Sequence, residues 1–188
     1  MKLDFKEDKM IPFPNKKYKI IYADPAWSYN DRAAAGNRGA CFKYPVQSIE
    51  WIANLPVKEI SDKDCILFLW VTMPKLNECF EVIEAWGFKY KTCGFTWIKK
   101  NKKSDSLFMG MGRWTRANAE VCLIATKGKP KRINAGVHSV IHSPIARHSE
   151  KPSETRDRIV TLCGDLPRIE LFARQATKGW DTWGNESL

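Results

Sequence analysis

Short apolar runs alternate along this chain with stretches whose apolar residues recur at helical spacing, and no other feature limits its fold as strongly. Lys19 to Ala23 reads as a buried strand, stopped by Asp24 with Pro25 directly behind it. Val46, Ile49, Trp51, Ile52 and Leu55 keep mostly helical spacing, and Pro56 ends them. Cys65 to Thr72 is a continuous apolar run of strand length. Lys75 to Trp86 carries Leu76, Cys79, Phe80, Val82, Ile83 and Trp86 as a broad helical stripe closed by Gly87. Tyr90 to Lys99 and Glu120 to Lys127 read as strands, and Arg168 to Ala173 as a last one. Pro152 to Cys163 reads as a helix, with proline near its start and Gly164 just past its end. This alternation predicts an α/β fold built on an open, mostly parallel sheet. In such sheets ligands sit beyond the carboxyl ends of the strands. Asp24, where the first strand runs out, is therefore expected to face the ligand crevice.

A chain of 188 residues, 44% of them hydrophobic, can bury one real core. The reading is a charged N-terminal arm over 1–17, holding Pro12 and Pro14, and a single domain over 18–188. The apolar runs are too short to span a bilayer, and the opening residues lack an apolar signal region. A soluble intracellular, cytoplasmic protein with no membrane partner is expected. The cysteines at 41, 65, 79, 93, 122 and 163 form no C-x-x-C pair, so they read as reduced thiols, mostly buried. His138 and His142 have the spacing of a zinc pair but no third ligand pattern, and no metal is expected.

A net charge of +10 favours a polyanionic partner. Three segments read as long loops: Ser28 to Tyr44, Asn101 to Asn118 and Lys129 to Glu150. The second, "NKKSDSLFMGMGRWTRAN", interleaves bases, glycines and aromatics, and contains Arg113 and Arg116. Such a mixture suits phosphate contacts together with base stacking; a plain solvated loop is the alternative.

Asp24-Pro25-Ala26-Trp27 carries the most specific chemistry. Pro25 has no N–H and a fixed backbone that can aim its carbonyl at the crevice. A carboxylate and a carbonyl side by side suit the two N–H groups of a planar amine, and Trp27 offers an aromatic surface for a planar ring. Two such acceptors favour a more tetrahedral nitrogen and stabilise the positive charge that grows as it attacks a methyl group. The alternative is a tight turn in which Asp24 caps backbone groups.

The tetrapeptide resembles the Asp-Pro-Pro-Trp motif of the MT-A-seventy-type adenine methyltransferases, and the resemblance continues through the chain. "ILFLWVT" (Ile66 to Thr72), "GRWTRANAEVCLIATKGKP" (Gly112 to Pro130), "HSEKP" (His148 to Pro152) and "IELFARQATKGWDTWGNE" (Ile169 to Glu186) are similar to family segments in the family's order. The resemblance implies a single-domain, Rossmann-like, S-adenosylmethionine-dependent methyltransferase fold. Its order is permuted, with the catalytic motif ahead of the main cofactor segment. It implies that Asp24 and the Pro25 carbonyl hold the target amine while Trp27 flanks the base. Asp24, Ser149, Lys151, Phe172, Arg174, Asn185 and Glu186 are implied on the cofactor side. Tyr44, Glu120 and Lys151, with Arg113 and Arg116 of the basic loop, fall on the target side.

Ala26 replaces the usual second proline, and Ala176 and Thr177 stand where some relatives carry His-Asn beside the ribose. Trp180 and Trp183 read as packing residues. The implied reaction is methyl transfer to N-6 of adenine in DNA, as in bacterial and phage members. The alternatives are the same reaction on RNA, or a catalytically inactive nucleic-acid-binding partner. Specificity is expected to be short, or supplied by a partner subunit or homodimer. Restriction-modification, phage genome protection and regulation all fit.

Overall fold

The computed structural model describes residues 11–28, 47–110, 112, 114–146 and 150–184. In chain order these form β1 (Tyr18–Ala23), α1 (Ile49–Ala53), α2 (Val57–Ile60), β2 (Ser61–Val71), α3 (Cys79–Ala85), β3 (Lys89–Lys100), β4 (Ala119–Lys127), β5 (Val140–Pro144), α4 (Glu154–Cys163), β6 (Arg168–Leu171) and β7 (Asp181–Trp183). The strands make one sheet in the order β5-β3-β4-β2-β1-β6-β7. β1 is parallel to β2 and β6, β6 to β7, and β3 to β5, whereas β4 is antiparallel to both its neighbours. The expected mostly parallel α/β sheet is present, with β4 as its one reversed strand among the described residues.

Strand alternation divides the core between the two faces of the sheet. Ile21 and Ala23 of β1, with Leu67, Leu69 and Val71 of β2, pack with Ile52, Val82 and Trp86 from the α1 and α3 side. Ile20 and Tyr22, with Ile66, Phe68 and Trp70, pack with Phe95, Trp97 and Ile159 on the α4 side. Both faces of the central strands are buried, which is why β1 and β2 are almost continuously apolar. Ser48 caps α1 by accepting the Trp51 N–H at 3.1 Å. α4 stops at Gly164, whose φ of 94° suits glycine.

The helices are shorter than the apolar stripes predict. Pro74 lies in a single 3-10 turn, Met73–Lys75, so α3 begins only at Cys79. Two strands fall in stretches expected to be irregular. β5 lies within the loop read over 129–150, and its one fully buried residue, Ile141, gives no alternating signal. β7 has three residues, too few for a period.

The arm read over 1–17 is docked on the domain from Ile11 onward. Phe13 lies 4.4 Å from the Trp183 ring, the Trp183 indole N–H donates to the Ile11 carbonyl at 2.9 Å, and Lys16 pairs with Asp181 at 2.7 Å. Cys65, Cys79, Cys122 and Cys163 are buried free thiols, but Cys93 is exposed because the first half of β3 faces outward. Cys41 lies outside the described residues. Among the described residues no helix is long and apolar enough to cross a membrane.

Candidate active site

From β1 the chain moves through α1 and α2 to β2 on one side. From β6 it moves to β7 on the other. Loops leaving adjacent parallel strands in opposite directions open a crevice at their carboxyl ends. Register places the relevant residues on one edge. Ala23 pairs with Leu69 and with Leu171, and Leu171 pairs with Trp183. Asp24, Phe172 and Gly184 thus each stand one residue beyond that line. Because β4 is reversed, its first residues reach the same edge, where Val121 pairs with Val71 and Glu120 with Trp97.

At this edge four charged side chains alternate in sign. The Lys151 ammonium, only 7% exposed, lies 2.8 Å from each carboxylate oxygen of Asp24 and 3.3 Å from Glu120 Oε2. The other Glu120 oxygen accepts a short hydrogen bond from Lys99. Burial pushes the Asp24 carboxyl above its ordinary pKa, with Lys151 opposing the rise. Burial also disfavours the charge on Lys151, but Asp24 and Glu120 outweigh it and hold that pKa above its ordinary value. The Lys151 ammonium also sits 5.6 Å from the Trp70 ring.

Trp70 connects the charges to the first turn. Its indole N–H donates to the Tyr22 hydroxyl at 2.7 Å, and its carbonyl accepts the Trp27 indole N–H at 2.9 Å. The Pro25 carbonyl accepts the Trp27 backbone N–H at 2.9 Å, closing a three-residue turn centred on Ala26. One lone pair of that carbonyl remains for another donor.

The model of the family described as MT-A70 matches residues 18–186. The chain belongs to the MT-A70 family. It is 36% identical over 198 aligned residues to "Type II methyltransferase M.MunI" of Mycoplasma sp, covering 95% of this chain and 82% of that protein. It is 28% identical over 174 residues to the human "N(6)-adenosine-methyltransferase catalytic subunit METTL3", covering 90% of this chain but 28% of that one. The Drosophila melanogaster "N(6)-adenosine-methyltransferase MT-A70-like protein" is also 28% identical over 174 residues, with 90% and 27% covered. The chain thus spans little more than a quarter of these animal relatives.

The structure brings together part of the residue set that the MT-A70 motifs imply. Asp24, Lys151 and Glu120 are in contact, and Pro25 adjoins them. Arg174 lies close enough to Asp24 for its charge to favour the ionised carboxylate. Asp165 pairs with Arg168, and Glu170 with Arg156. Phe172 has a φ of 62° and packs edge-on against Trp183 at 5.6 Å. A bulky residue held in the left-handed region directly after β6 stores strain at the crevice, a pattern that clusters at functional sites.

Trp27 does not present the stacking face expected of it. It is 3% exposed and packs into the core, so it braces the turn instead. Arg116 is exposed on the 101–118 loop, and Trp180 and Trp183 are buried packing residues. Tyr44, Arg113, Ser149, Asn185 and Glu186 lie outside the described residues. A cleft of about 350 Å³, lined by Ser153, Arg156, Gln175, Ala176, Thr177 and Trp180, begins one residue past Arg174. Among the described residues no three His, Cys, Asp or Glu side chains gather as a metal site; His138 and His142 line a separate cleft beside β5.

Two contributors, Lys99 and Trp70, escaped sequence reasoning. A signal for Lys99 exists in hindsight: it takes the third inward position after Phe95 and Trp97, where a strand facing only core would carry an apolar residue.

Proposed function

We propose that this chain transfers the methyl group of S-adenosylmethionine to the exocyclic N-6 amine of adenine in DNA. The observation that carries the reading is the half-buried Asp24 carboxylate, held at the carboxyl end of β1 by Lys151 at 2.8 Å and standing beside the Pro25 carbonyl. The fold reading is a Rossmann-like methyltransferase sheet in permuted order. The catalytic strand β1 comes before β6, at whose end Phe172 and Arg174 stand.

The residues at the crevice suit S-adenosylmethionine. That molecule carries an ammonium, a carboxylate and a ribose diol; Asp24 and Arg174 offer the opposite charges, and the family motif adds Asn185 and Glu186, outside the described residues, as diol partners. Its contribution when bound is an electrophilic methyl on a sulfonium. Asp24 and the Pro25 carbonyl accept the two N–H groups of the adenine amine, turning its lone pair toward that methyl. As the nitrogen gains positive charge, the fixed carboxylate stabilises it in a site largely closed to water. The surplus proton on nitrogen then leaves to water. Lys151 keeps Asp24 ionised and immobile. Trp27, through Trp70, holds the turn that aims the Pro25 carbonyl.

In duplex DNA the adenine must leave the stack to reach Asp24. Tyr44, Glu120, Arg113 and Arg116 are the residues proposed to receive it and its strand. The Type II methyltransferase, a relative of similar length, supports DNA. The animal relatives named as adenosine methyltransferases support RNA as the second reading. Tritiated S-adenosylmethionine offered with DNA and RNA side by side separates the two: label in N-6-methyladenine of DNA is expected. Label in RNA alone selects the second reading. Binding of either polymer without transfer selects an inactive partner subunit.

A further inference from the structure

We infer that Lys99 is a positioning residue for methyl transfer: by engaging Glu120, it lets Lys151 hold Asp24. The inference rests on the proposed reaction at Asp24. Two carboxylates and two ammoniums alternate in contact in the order Lys99, Glu120, Lys151, Asp24. Their side chains are between 7% and 21% exposed, so water screens them little.

The geometry is asymmetric. Lys151 stands 2.8 Å from Asp24 but 3.3 Å from Glu120, although both acids compete for the same ammonium. Lys99 accounts for the difference, because it occupies the Glu120 oxygen that Lys151 does not approach. Without Lys99, Glu120 would have Lys151 as its nearest countercharge. Lys151 would then be drawn toward Glu120 and away from Asp24. Loss of that hold leaves the Asp24 carboxylate both less ionised and less fixed, and the amine it receives is aimed less well.

The backbone places Lys99 where this role can be sustained. Its N–H donates to Asn118 O at 2.8 Å, and its carbonyl accepts Phe108 N–H at 2.8 Å, so the middle and the far end of the basic loop over 101–118 both fasten to it. Its ammonium lies 5.1 Å from the Trp97 ring, a second restraint on the same side chain. Lys99 reaches neither Asp24 nor the turn after it, and it acts only through Glu120.

The test is a double-mutant cycle on the full chain, measuring kcat and KM for both substrates. Lys99→Met is expected to lower kcat about tenfold or more, with KM for S-adenosylmethionine and for DNA within about threefold of wild type. Lys99→Arg, which keeps the charge, is expected to retain most of kcat. In a Glu120→Gln background, Lys99→Met is expected to add little further loss, because the competing carboxylate is gone. Should Lys99→Met fail to fold, Lys99→Gln enters the same cycle. Equal loss from Lys99→Met in both backgrounds, or a wild-type kcat in the single variant, overturns the inference. If wild type itself transfers no methyl group to any nucleic acid, the proposed reaction fails instead.

Discussion

Lys151 sets its ammonium 2.8 Å from both carboxylate oxygens of Asp24, across 127 positions of sequence. The acid directly follows β1, and the base precedes α4 in the crossover that returns the chain to β6, beside β1. The pair therefore ties the end of β1 to the segment before α4, and it favours the charged form of a half-buried carboxylate at the place where a positive charge is proposed to develop.

Removing the base separates these two roles. Lys151→Met leaves the half-buried Asp24 without its main countercharge. Breaking one partner of such a pair costs about 3 kcal/mol of stability. Methyl transfer is expected to fall by about 100-fold or more, the scale of losing one group that stabilises developing charge. Urea unfolding and initial rates on the same protein check both; an unchanged rate in a folded variant would remove Lys151 from the mechanism.

Glu120 gives a stability signature in pH. Burial raises its carboxyl pKa, but Lys151 and then Lys99 outweigh burial and hold it below the ordinary value. As pH falls, the unfolded chain protonates this group first, so Glu120 adds stability above its unfolded pKa and loses it as pH drops through the folded one. Asp24 has the opposite sign: its raised pKa means that folding loses stability as pH rises from the ordinary to the raised value. The gap in unfolding free energy between wild type and Glu120→Gln is expected to be constant around neutrality and to shrink toward about pH 3. Urea titrations at several pH values measure it, and a gap that widens in acid contradicts the assignment.

Trp27 distinguishes a brace from a stacking wall. Trp27→Phe keeps an aromatic ring but leaves the buried Trp70 carbonyl without the indole donor now 2.9 Å away. A cost of about 1–3 kcal/mol is expected, together with a lower kcat as the turn loosens. A stacking wall predicts the reverse pattern, with stability kept and KM for nucleic acid raised. Thermal melts and steady-state kinetics on Trp27→Phe decide between them.

The sheet was legible because β1, β2, β3 and β4 carry enough apolar residues to show their period, and Asp24 was legible because proline follows an acid at a strand end. Register was not legible. Nothing in the sequence pairs Val121 with Val71, so the approach of Glu120 to Lys151 depends on the reversed direction of β4. β5 and β7 are too short and too mixed to show a period. The burial of Trp27 has a related cause: its indole N–H finds a carbonyl on β2, and such a long-range contact leaves no mark on either segment alone. Lys99 escaped because a lysine at a strand end reads as solvated until the fold brings Glu120 alongside.

Ala26 occupies the centre of the turn closed by the Trp27 N–H and the Pro25 carbonyl, where the family motif places a second proline. Phe172 is the one non-glycine residue with positive φ among the described residues, so Ala26 keeps a negative φ and the turn is of the inverse type. The central residue of an inverse turn sits near −75°, close to the angle that proline imposes. The Ala26 carbonyl, which accepts the Gln47 N–H at 2.9 Å, would survive the substitution. Ala26→Pro is therefore expected to leave kcat within about tenfold of wild type, or roughly 1.4 kcal/mol of barrier. It should also raise stability by about 0.4–1 kcal/mol by restricting the unfolded chain. Rates and melting temperature measured together test the turn: a large loss of both would mean that its geometry excludes proline and that the Pro25 carbonyl is aimed by a different backbone path.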